Sequence, residues 1–237
     1  MQKINRRKEF FDTLNPYFIK RGFKFYNHFG NPTLVKYIRE DLVCQFYFHF
    51  PTKSKIPSFS QFLISHFEVE NIILELDTPD FDFELYKSIH KERAILSTIE
   101  QKVKIDFKEN KRLETVEDYK SYAKAILKYA QTDGKAFIEK YSYLPNILTK
   151  MNELENKSDN WMNEGLYWRN DKGDSISGSA ESYFRVLIIS KLCNDPMLHE
   201  KIKKVDVMFS SWNEEWNQSY EQLKIRLESI SPKYNLE

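Results

Sequence analysis

The 237-residue chain has few of the features that mark secreted or membrane proteins. It contains two cysteines, Cys44 and Cys193, too few for the disulfide framework of a small secreted domain and typical of reduced thiols. No apolar run approaches the roughly 18 to 20 residues that a membrane-spanning helix needs. The basic N-terminus is followed by an amphipathic stretch rather than by the apolar core of a signal peptide. These absences predict a cytoplasmic protein with no membrane segment.

The chain also has almost no net charge, because 36 Lys and Arg residues oppose 35 Asp and Glu residues. This balance argues against a broad basic surface for nucleic acid, although a local basic patch can be hidden in the average. What the sequence has in abundance is aromatic residues, which make up 15% of the chain. Since aromatic side chains bury large areas, we expect most of them to form a sizeable core.

The hydrophobic periodicity predicts an α+β fold, with an N-terminal helix packed on an antiparallel sheet and a mostly α-helical C-terminal half. An apolar stripe predicts a helix over residues 4–20, and Gly22 can supply its left-handed end. Alternating residues then predict a strand over 23–27 and a hairpin formed by 33–39 and 42–50.

The second strand of this hairpin shows the clearest alternation. Cys44 and Phe46 are predicted to face the core, whereas Val43 and Gln45 point the other way. Residues 62–76 fit either further strands or a short helix, because short apolar runs occur in both.

Helical periodicity is clear from Thr115 onward. Thr115 and Asp118 predict a capping box at the start of a helix. Gly134 predicts a turn between two helices. Asp195 followed by Pro196 predicts the start of a later helix, with Asp195 as its N-cap.

The change in periodicity also gives a domain prediction. Residues 1–112 form the α+β sheet region, and residues 113–237 form the helical region. The two regions are expected to pack as one globular unit.

Short motifs along the chain occur in an order that suggests a family. The opening helix ends in KRGF at 20–23, a strand reads QFYFHF at 45–50, and VED at 116–118 leads to FIEKYS at 137–142. This order resembles an uncharacterised bacterial family of domains of unknown function. The resemblance implies an α+β fold and supplies no established activity, cofactor or catalytic residues. Because related small proteins accompany bacterial toxin loci, it also implies an immunity-like or partner-binding role.

No recognisable catalytic motif is present, so catalytic residues and cofactors are not predicted and enzymatic activity stays open. The block at 173–176 resembles the nucleophile block of a Gly-Asp-Ser hydrolase family, but a polar loop and a helix cap explain its Ser175 without chemistry. The histidines form neither His-Glu-x-x-His nor another metal-binding spacing. The alternative function is a hydrolase or nuclease whose site is assembled from dispersed carboxylates and histidines such as His49 and His66.

Two groups of basic residues are predicted to lie on solvated helix faces rather than in a nucleic-acid groove, because neither is interleaved with aromatic residues. They are Lys3, Arg6, Arg7 and Lys8 near the N-terminus, and Lys201, Lys203 and Lys204 in the C-terminal half.

Partner binding is predicted for the aromatic residues of the most loop-like stretch. Trp161, Tyr167 and Trp168 lie there, beside Arg169. Loops held by a rigid scaffold often carry recognition, and Trp, Tyr and Arg are enriched among interface hot spots.

A second aromatic group recurs at helical spacing near the C-terminus. Trp212, Trp216 and Tyr220 lie four residues apart, which places them on one helix face. They either seal the helical core or expose Trp212 and Trp216 as partner anchors. The sequence therefore predicts a non-enzymatic protein whose partner is another protein, with a structural subunit as a third possibility.

Overall fold

The computed structural model describes residues 5–28, 31–48, 60–76, 78–79, 96–103, 112–155, 174–176, 180–211 and 214–235. The chain divides into two compact units: unit 1 is 1–63 with 101–139, and unit 2 is 64–100 with 140–237. Each unit combines two separate stretches, so this division differs from the sequence-based division after residue 112.

Six strands are described: β1 (Lys24–His28), β2 (Asn31–Arg39), β3 (Leu42–Phe48), β4 (Ser60–His66), β5 (Ile99–Lys102) and β6 (Asp174–Ile176). They are hydrogen-bonded side by side in chain order. The described helices are α1 (Arg6–Lys20), α2 (Phe67–Glu75), α3 (Val116–Gln131), α4 (Asp133–Tyr141), α5 (Leu144–Glu155), α6 (Glu181–Leu192), α7 (Leu198–Phe209) and α8 (Glu214–Ser229). The predicted α+β class is confirmed. None of the helices in the described part of the chain is long and apolar enough to cross a bilayer.

Helix α1 forms where the apolar stripe predicts it. The Asn5 side chain caps it by accepting a hydrogen bond from the Lys8 backbone N–H, and Gly22 ends it at a φ of 83°. The buried stripe packs on the sheet of unit 1, where the Phe18 ring lies 5.4 Å from that of Phe46, centroid to centroid. The antiparallel β1–β2 and β2–β3 pairs confirm the predicted antiparallel sheet and its hairpin.

Strand β3 is buried on both faces. Cys44 and Phe46 face the core as predicted, but Val43 and Gln45 are buried as well. The prediction of a single core face is therefore wrong for this strand. Antiparallel strands commonly leave one face in solvent, so the alternation of this strand does not reveal that both of its faces are covered.

The start of α3 follows its local sequence, whereas the start of α4 does not. Thr115 and Asp118 form the predicted capping box, with each side chain accepting a hydrogen bond from the other's backbone N–H. Gly134, predicted to form a turn, lies inside α4, and the break between α3 and α4 falls at Thr132. A Cβ at Gly134 would collide with the ring of Phe62, so glycine is explained by close packing.

Helices α1 and α3 of unit 1 lie side by side and run in the same direction. Near their N-termini, Glu9 forms an ion pair with Lys120 at 3.3 Å. Near their C-termini, the Tyr17 hydroxyl donates a hydrogen bond to the Ala130 carbonyl oxygen at 3.4 Å. Since both contacts advance along both helices together, the two C-terminal ends lie at the same end of the pair.

Unit 2 is organised around α6, of which every residue but one is buried. Both α7 and α8 pack against α6, and an aromatic cluster joins the three helices through Phe184, Phe209 and Tyr220. Asp195 precedes α7, as predicted, but the first helical residue is Leu198. The Asp195 carboxylate accepts the Met197 backbone N–H at 3.0 Å, so it caps a turn that precedes the helix.

Candidate functional site

The predicted partner-binding residues divide between the part of the chain that the structure describes and the part that it does not. Trp161, Tyr167, Trp168, Arg169 and Trp212 all lie outside the described residues. Their role stays a prediction from sequence.

Trp216 lies in α8 and is only 6% exposed. Its ring contacts Phe184 of α6, with 5.9 Å between the ring centroids. Tyr220, one turn later, is also buried. Of the two interpretations of this aromatic stripe, the core interpretation therefore describes Trp216, and we do not include Trp216 in the candidate surface.

The most unusual polar group in unit 2 is the buried ammonium of Lys201 in α7. Its Nζ donates hydrogen bonds to Asp195 Oδ2 at 2.6 Å, Asn152 Oδ1 at 2.6 Å and Ser190 Oγ at 3.2 Å. An ammonium group has three N–H donors, so all three are used. We call these four residues the Lys201 cluster; it joins α5, α6, α7 and the turn before α7.

The burial of Lys201 corrects the prediction that it belongs to a solvated basic face, although Lys203 and Lys204 are exposed. The cluster also controls the charge of Asp195. Burial by itself raises the pKa of this carboxyl, but the hydrogen bond and charge of Lys201, helped by Met197 and Ser190, lower it overall. Asp195 is therefore ionised and balances the positive charge of Lys201. Because all three N–H donors of the ammonium are used, we assign the cluster a structural role.

The chain after α8 is tied to the C-terminal end of α6. The Leu192 carbonyl oxygen accepts the backbone N–H groups of Lys233 and Tyr234, at 2.8 and 3.0 Å. The Tyr234 hydroxyl donates to a carboxylate oxygen of Glu68 at 2.7 Å, and Lys233 forms an ion pair with the other oxygen at 3.1 Å. These bonds fix residues 230–235 against α2 and α6.

Large apolar side chains are exposed beside this anchored segment. Tyr143, between α4 and α5, is 52% exposed, and its ring meets Tyr234 edge to face at 5.7 Å between centroids. Met197, 48% exposed, lies in the turn that follows the same end of α6. We call Tyr143, Met197 and Tyr234 the Tyr143 surface. Aromatic residues and Met are enriched at protein interfaces.

The Lys201 cluster also holds the beginning of the predicted recognition segment. Asn152, which accepts from Lys201, lies four residues before residue 156, where the aromatic stretch 156–173 begins. At its other end the stretch is followed by β6, in which Ile176 is buried. The described residues that flank the segment, Asn152 and Ile176, both belong to unit 2.

Sequence reasoning did not find the Tyr143 surface. A weak local signal exists, because Tyr143 precedes Pro145, where a helix restart is expected, and Met197 follows Pro196. The packing of Tyr143 against Tyr234 joins residues that lie far apart in sequence, so no local pattern could show it.

A second buried ion pair joins α2 to α6. Arg185 donates from Nε to Glu70 Oε1 at 3.0 Å and from Nη2 to Glu70 Oε2 at 2.7 Å. Both side chains are almost completely buried. Burial lowers the pKa of Arg185, but the charge and hydrogen bonds of Glu70, with the charges of Glu181 and Glu100, raise it overall. Arg185 therefore keeps its positive charge.

Further hydrogen bonds extend this second pair. Thr98 Oγ1 donates to Glu70 Oε1 at 2.8 Å and accepts the His66 backbone N–H at 3.0 Å. His66 Nε2 donates to the Tyr141 carbonyl oxygen at 2.8 Å. The bidentate, charge-assisted bonds between Arg185 and Glu70, extended by Thr98, form a structural crosslink.

The candidate residues for hydrolytic chemistry do not come together in the described structure. His66 is buried in the network just described, whereas His49 lies outside the described residues. Among the described residues, no group of three His, Cys, Asp or Glu side chains is placed to hold a metal ion. Residues 174–176 of the Gly-Asp-Ser block form β6 rather than the expected loop.

Comparisons with known proteins identify no relative. No protein-family model matches the chain. Searches of curated proteins and of solved structures also give no match.

Proposed function

We propose that the protein binds another protein, without catalysis, through the Tyr143 surface and the adjoining segment 156–173. An immunity-like role beside a bacterial toxin is the finer form of this proposal. That finer form is supported only by the motif order noted in the sequence.

The observation that carries the proposal is the exposure of Tyr143 and Met197 on a part of unit 2 whose backbone is fixed by buried polar bonds. Large apolar side chains contribute most to binding when they lie on a preorganised frame, because less conformational entropy is then lost on association. Here the Lys201 cluster fixes the turn that carries Met197. The bonds of residues 230–235 fix Tyr234, against which Tyr143 packs.

Segment 156–173 supports the same proposal from sequence. It supplies Trp161, Tyr167, Trp168 and Arg169, the residue types that dominate interface hot spots. Asn152, which accepts a hydrogen bond from Lys201, lies four residues before this segment in the sequence.

Site-specific photo-crosslinking in the native host tests the proposal. A photoreactive phenylalanine analogue is placed at Tyr143, at Trp168 and, as a matched control, at Ile225, which is exposed on α8. We expect one protein to crosslink from positions 143 and 168 and not from 225. Crosslinking of the same set of proteins from all three positions would contradict the proposal.

A binding measurement with the crosslinked partner then tests the energetics. Tyr143→Ser with Met197→Ser should weaken binding at least tenfold, because each substitution removes buried contact area of the kind that supplies about 1 to 2 kcal/mol or more. Val207→Ser removes an apolar side chain of α7 that is more exposed, at 75%, and serves as the control. Unchanged affinity in the double variant would reject the Tyr143 surface as the binding site.

A further inference from the structure

The near-zero net charge of the chain hides a separation of charge between the two units. Unit 1 has 20 Lys and Arg residues against 11 Asp and Glu residues, a net charge of +9. Unit 2 has 16 against 24, a net charge of −8. Unit 1 therefore has the charge of a basic domain, which is the usual electrostatic signature of proteins that bind a polyanion.

Part of this positive charge forms a stripe on α3. Lys120, Lys124 and Lys128 recur every four residues, which places them on one side of the helix, about 6 Å apart along its axis. The ion pair from Lys120 to Glu9 shows that the stripe begins beside α1. Lys124 and Lys128 are exposed, and no ion pair of theirs is seen among the described residues.

Helix α1 presents further basic residues on the side that faces this stripe. Arg6 and Lys20 share a side of α1 with Glu9, at spacings of three and eleven residues. Just after α1, the Arg21 guanidinium stacks on the Tyr17 ring at 3.7 Å from its centroid. Tyr17 in turn is bonded to Ala130 near the end of α3.

Because α1 and α3 run in the same direction, Lys20, Arg21 and Lys128 lie at the same end of the helix pair, and Lys124 lies about one turn before Lys128. We call Lys20, Arg21, Lys124 and Lys128 the basic ridge. All four are exposed. The acidic residues on the same helix sides are Glu9, Asp12 and Glu117, and all three lie before Lys20 and Lys124 along their helices. Glu9 is already paired with Lys120, and Asp12 with Lys8.

The helix dipoles account for only part of the ridge. A cation in the last turn of a helix is favoured by the partial negative charge there, which explains Lys20 and Lys128. This effect falls off within one turn, and Lys124 lies about two turns before the end of α3. A partner that is itself negatively charged explains all four residues.

We propose that unit 1 binds the phosphate backbone of nucleic acid at the basic ridge, without reading base sequence. Lysine ammonium groups suit this task, since they neutralise phosphates as mobile point charges. Arg21 is held by stacking on Tyr17 and by a hydrogen bond from its Nη1 to the Tyr17 carbonyl oxygen at 3.3 Å, and its other N–H groups can contact a phosphate. The proposal is independent of the protein-binding function, which uses residues of unit 2.

Fluorescence anisotropy with a labelled short DNA duplex, at about 50 mM salt and above, tests the proposal. The full chain should bind the duplex, and Lys124→Gln with Lys128→Gln should weaken binding at least tenfold. Loss of two phosphate contacts should also reduce the slope of log K against log salt by about 1.8. The matched control is Lys203→Gln with Lys204→Gln, which removes the same charge from exposed positions of unit 2. Thermal melts of both variants show whether folding is retained.

The other outcomes overturn the proposal. No binding of the duplex by the full chain would do so, as would equal weakening in the two double variants. If polyglutamate binds the ridge and the duplex does not, the partner is an acidic protein surface instead. The Tyr143→Ser, Met197→Ser double variant should bind the duplex with wild-type affinity. Failure of the nucleic-acid proposal can therefore be distinguished from failure of the proposed protein-binding function.

Discussion

The Nζ atom of Lys201 lies 2.6 Å from Oδ2 of Asp195, and both side chains are almost completely buried. The two residues are six positions apart, so their bond ties the first turn of α7 to the turn before it. Asn152 and Ser190 complete the coordination of the ammonium. A buried charge of this kind is tolerated only while every partner is in place.

Removing the ammonium should therefore be strongly destabilising. Lys201→Met leaves the Asp195 carboxylate buried without its counter-charge, and we expect the free energy of unfolding to fall by about 3 to 5 kcal/mol. Urea denaturation measures the change. Lys203→Met, at an exposed position two residues later, should change it by less than about 0.5 kcal/mol. Equal losses of unfolding free energy in the two variants would show that the Lys201 cluster does not stabilise the fold more than an exposed lysine does.

The same ion pair should make the protein acid-sensitive. The pKa of Asp195 is lowered in the folded state below its ordinary value of 3.8, so the unfolded chain binds this proton more readily. The stability due to ionised Asp195 is complete above that value and is lost as the pH falls below it. The stability difference between the wild type and Asp195→Asn should therefore shrink as the pH falls below about 4. A difference independent of pH in urea titrations would contradict this assignment.

Gly134 should resist the substitution that usually stabilises a helix. Gly→Ala in a helix interior typically gains about 0.5 to 1 kcal/mol, but a Cβ here collides with the Phe62 ring. We expect Gly134→Ala to destabilise unit 1 by about 1 to 3 kcal/mol, as overpacking does. In a Phe62→Leu background, Ala at position 134 should cost less than in the wild type, as measured by a double-mutant cycle. Purely additive effects would rule out the contact as the cause.

Both cysteines should be inert in the native protein. Burial raises the pKa of Cys44 and of Cys193 to about 12, so almost no reactive thiolate exists at pH 8. We expect Ellman's reagent to modify both thiols only as fast as the protein unfolds, and at once in denaturant. Prompt reaction of one thiol in the native state would show that its burial is transient.

The parts of the fold that could be predicted from sequence depend on local bonds. The capping box of Thr115 and Asp118 joins residues three positions apart. The end of helix α1 at Gly22 needs only a residue that adopts a positive φ. Gly134 was misinterpreted because the reason for a glycine there is the distant Phe62 ring.

The candidate site was mostly beyond prediction because its causes are distant in sequence. In sequence, Lys201 resembles its exposed neighbours Lys203 and Lys204. What makes it different is its pair of buried partners, Asp195 and Asn152, and Asn152 lies 49 residues earlier. The ring contact of Tyr143 is with Tyr234, 91 positions later. The charge separation could not be seen either, because each unit combines two stretches of chain.

The discontinuous units have a consequence for synthesis on the ribosome. Helix α2, with its buried residues Val69, Ile72 and Ile73, leaves the ribosome before its partner helix α6 has been made. Arg185, the counter-charge of Glu70, follows 115 residues later, which at 5 to 20 residues per second is a delay of roughly 6 to 23 seconds. During that interval an apolar helix with an unmatched acid must be shielded, so the nascent chain should depend on a ribosome-associated chaperone more than its size suggests.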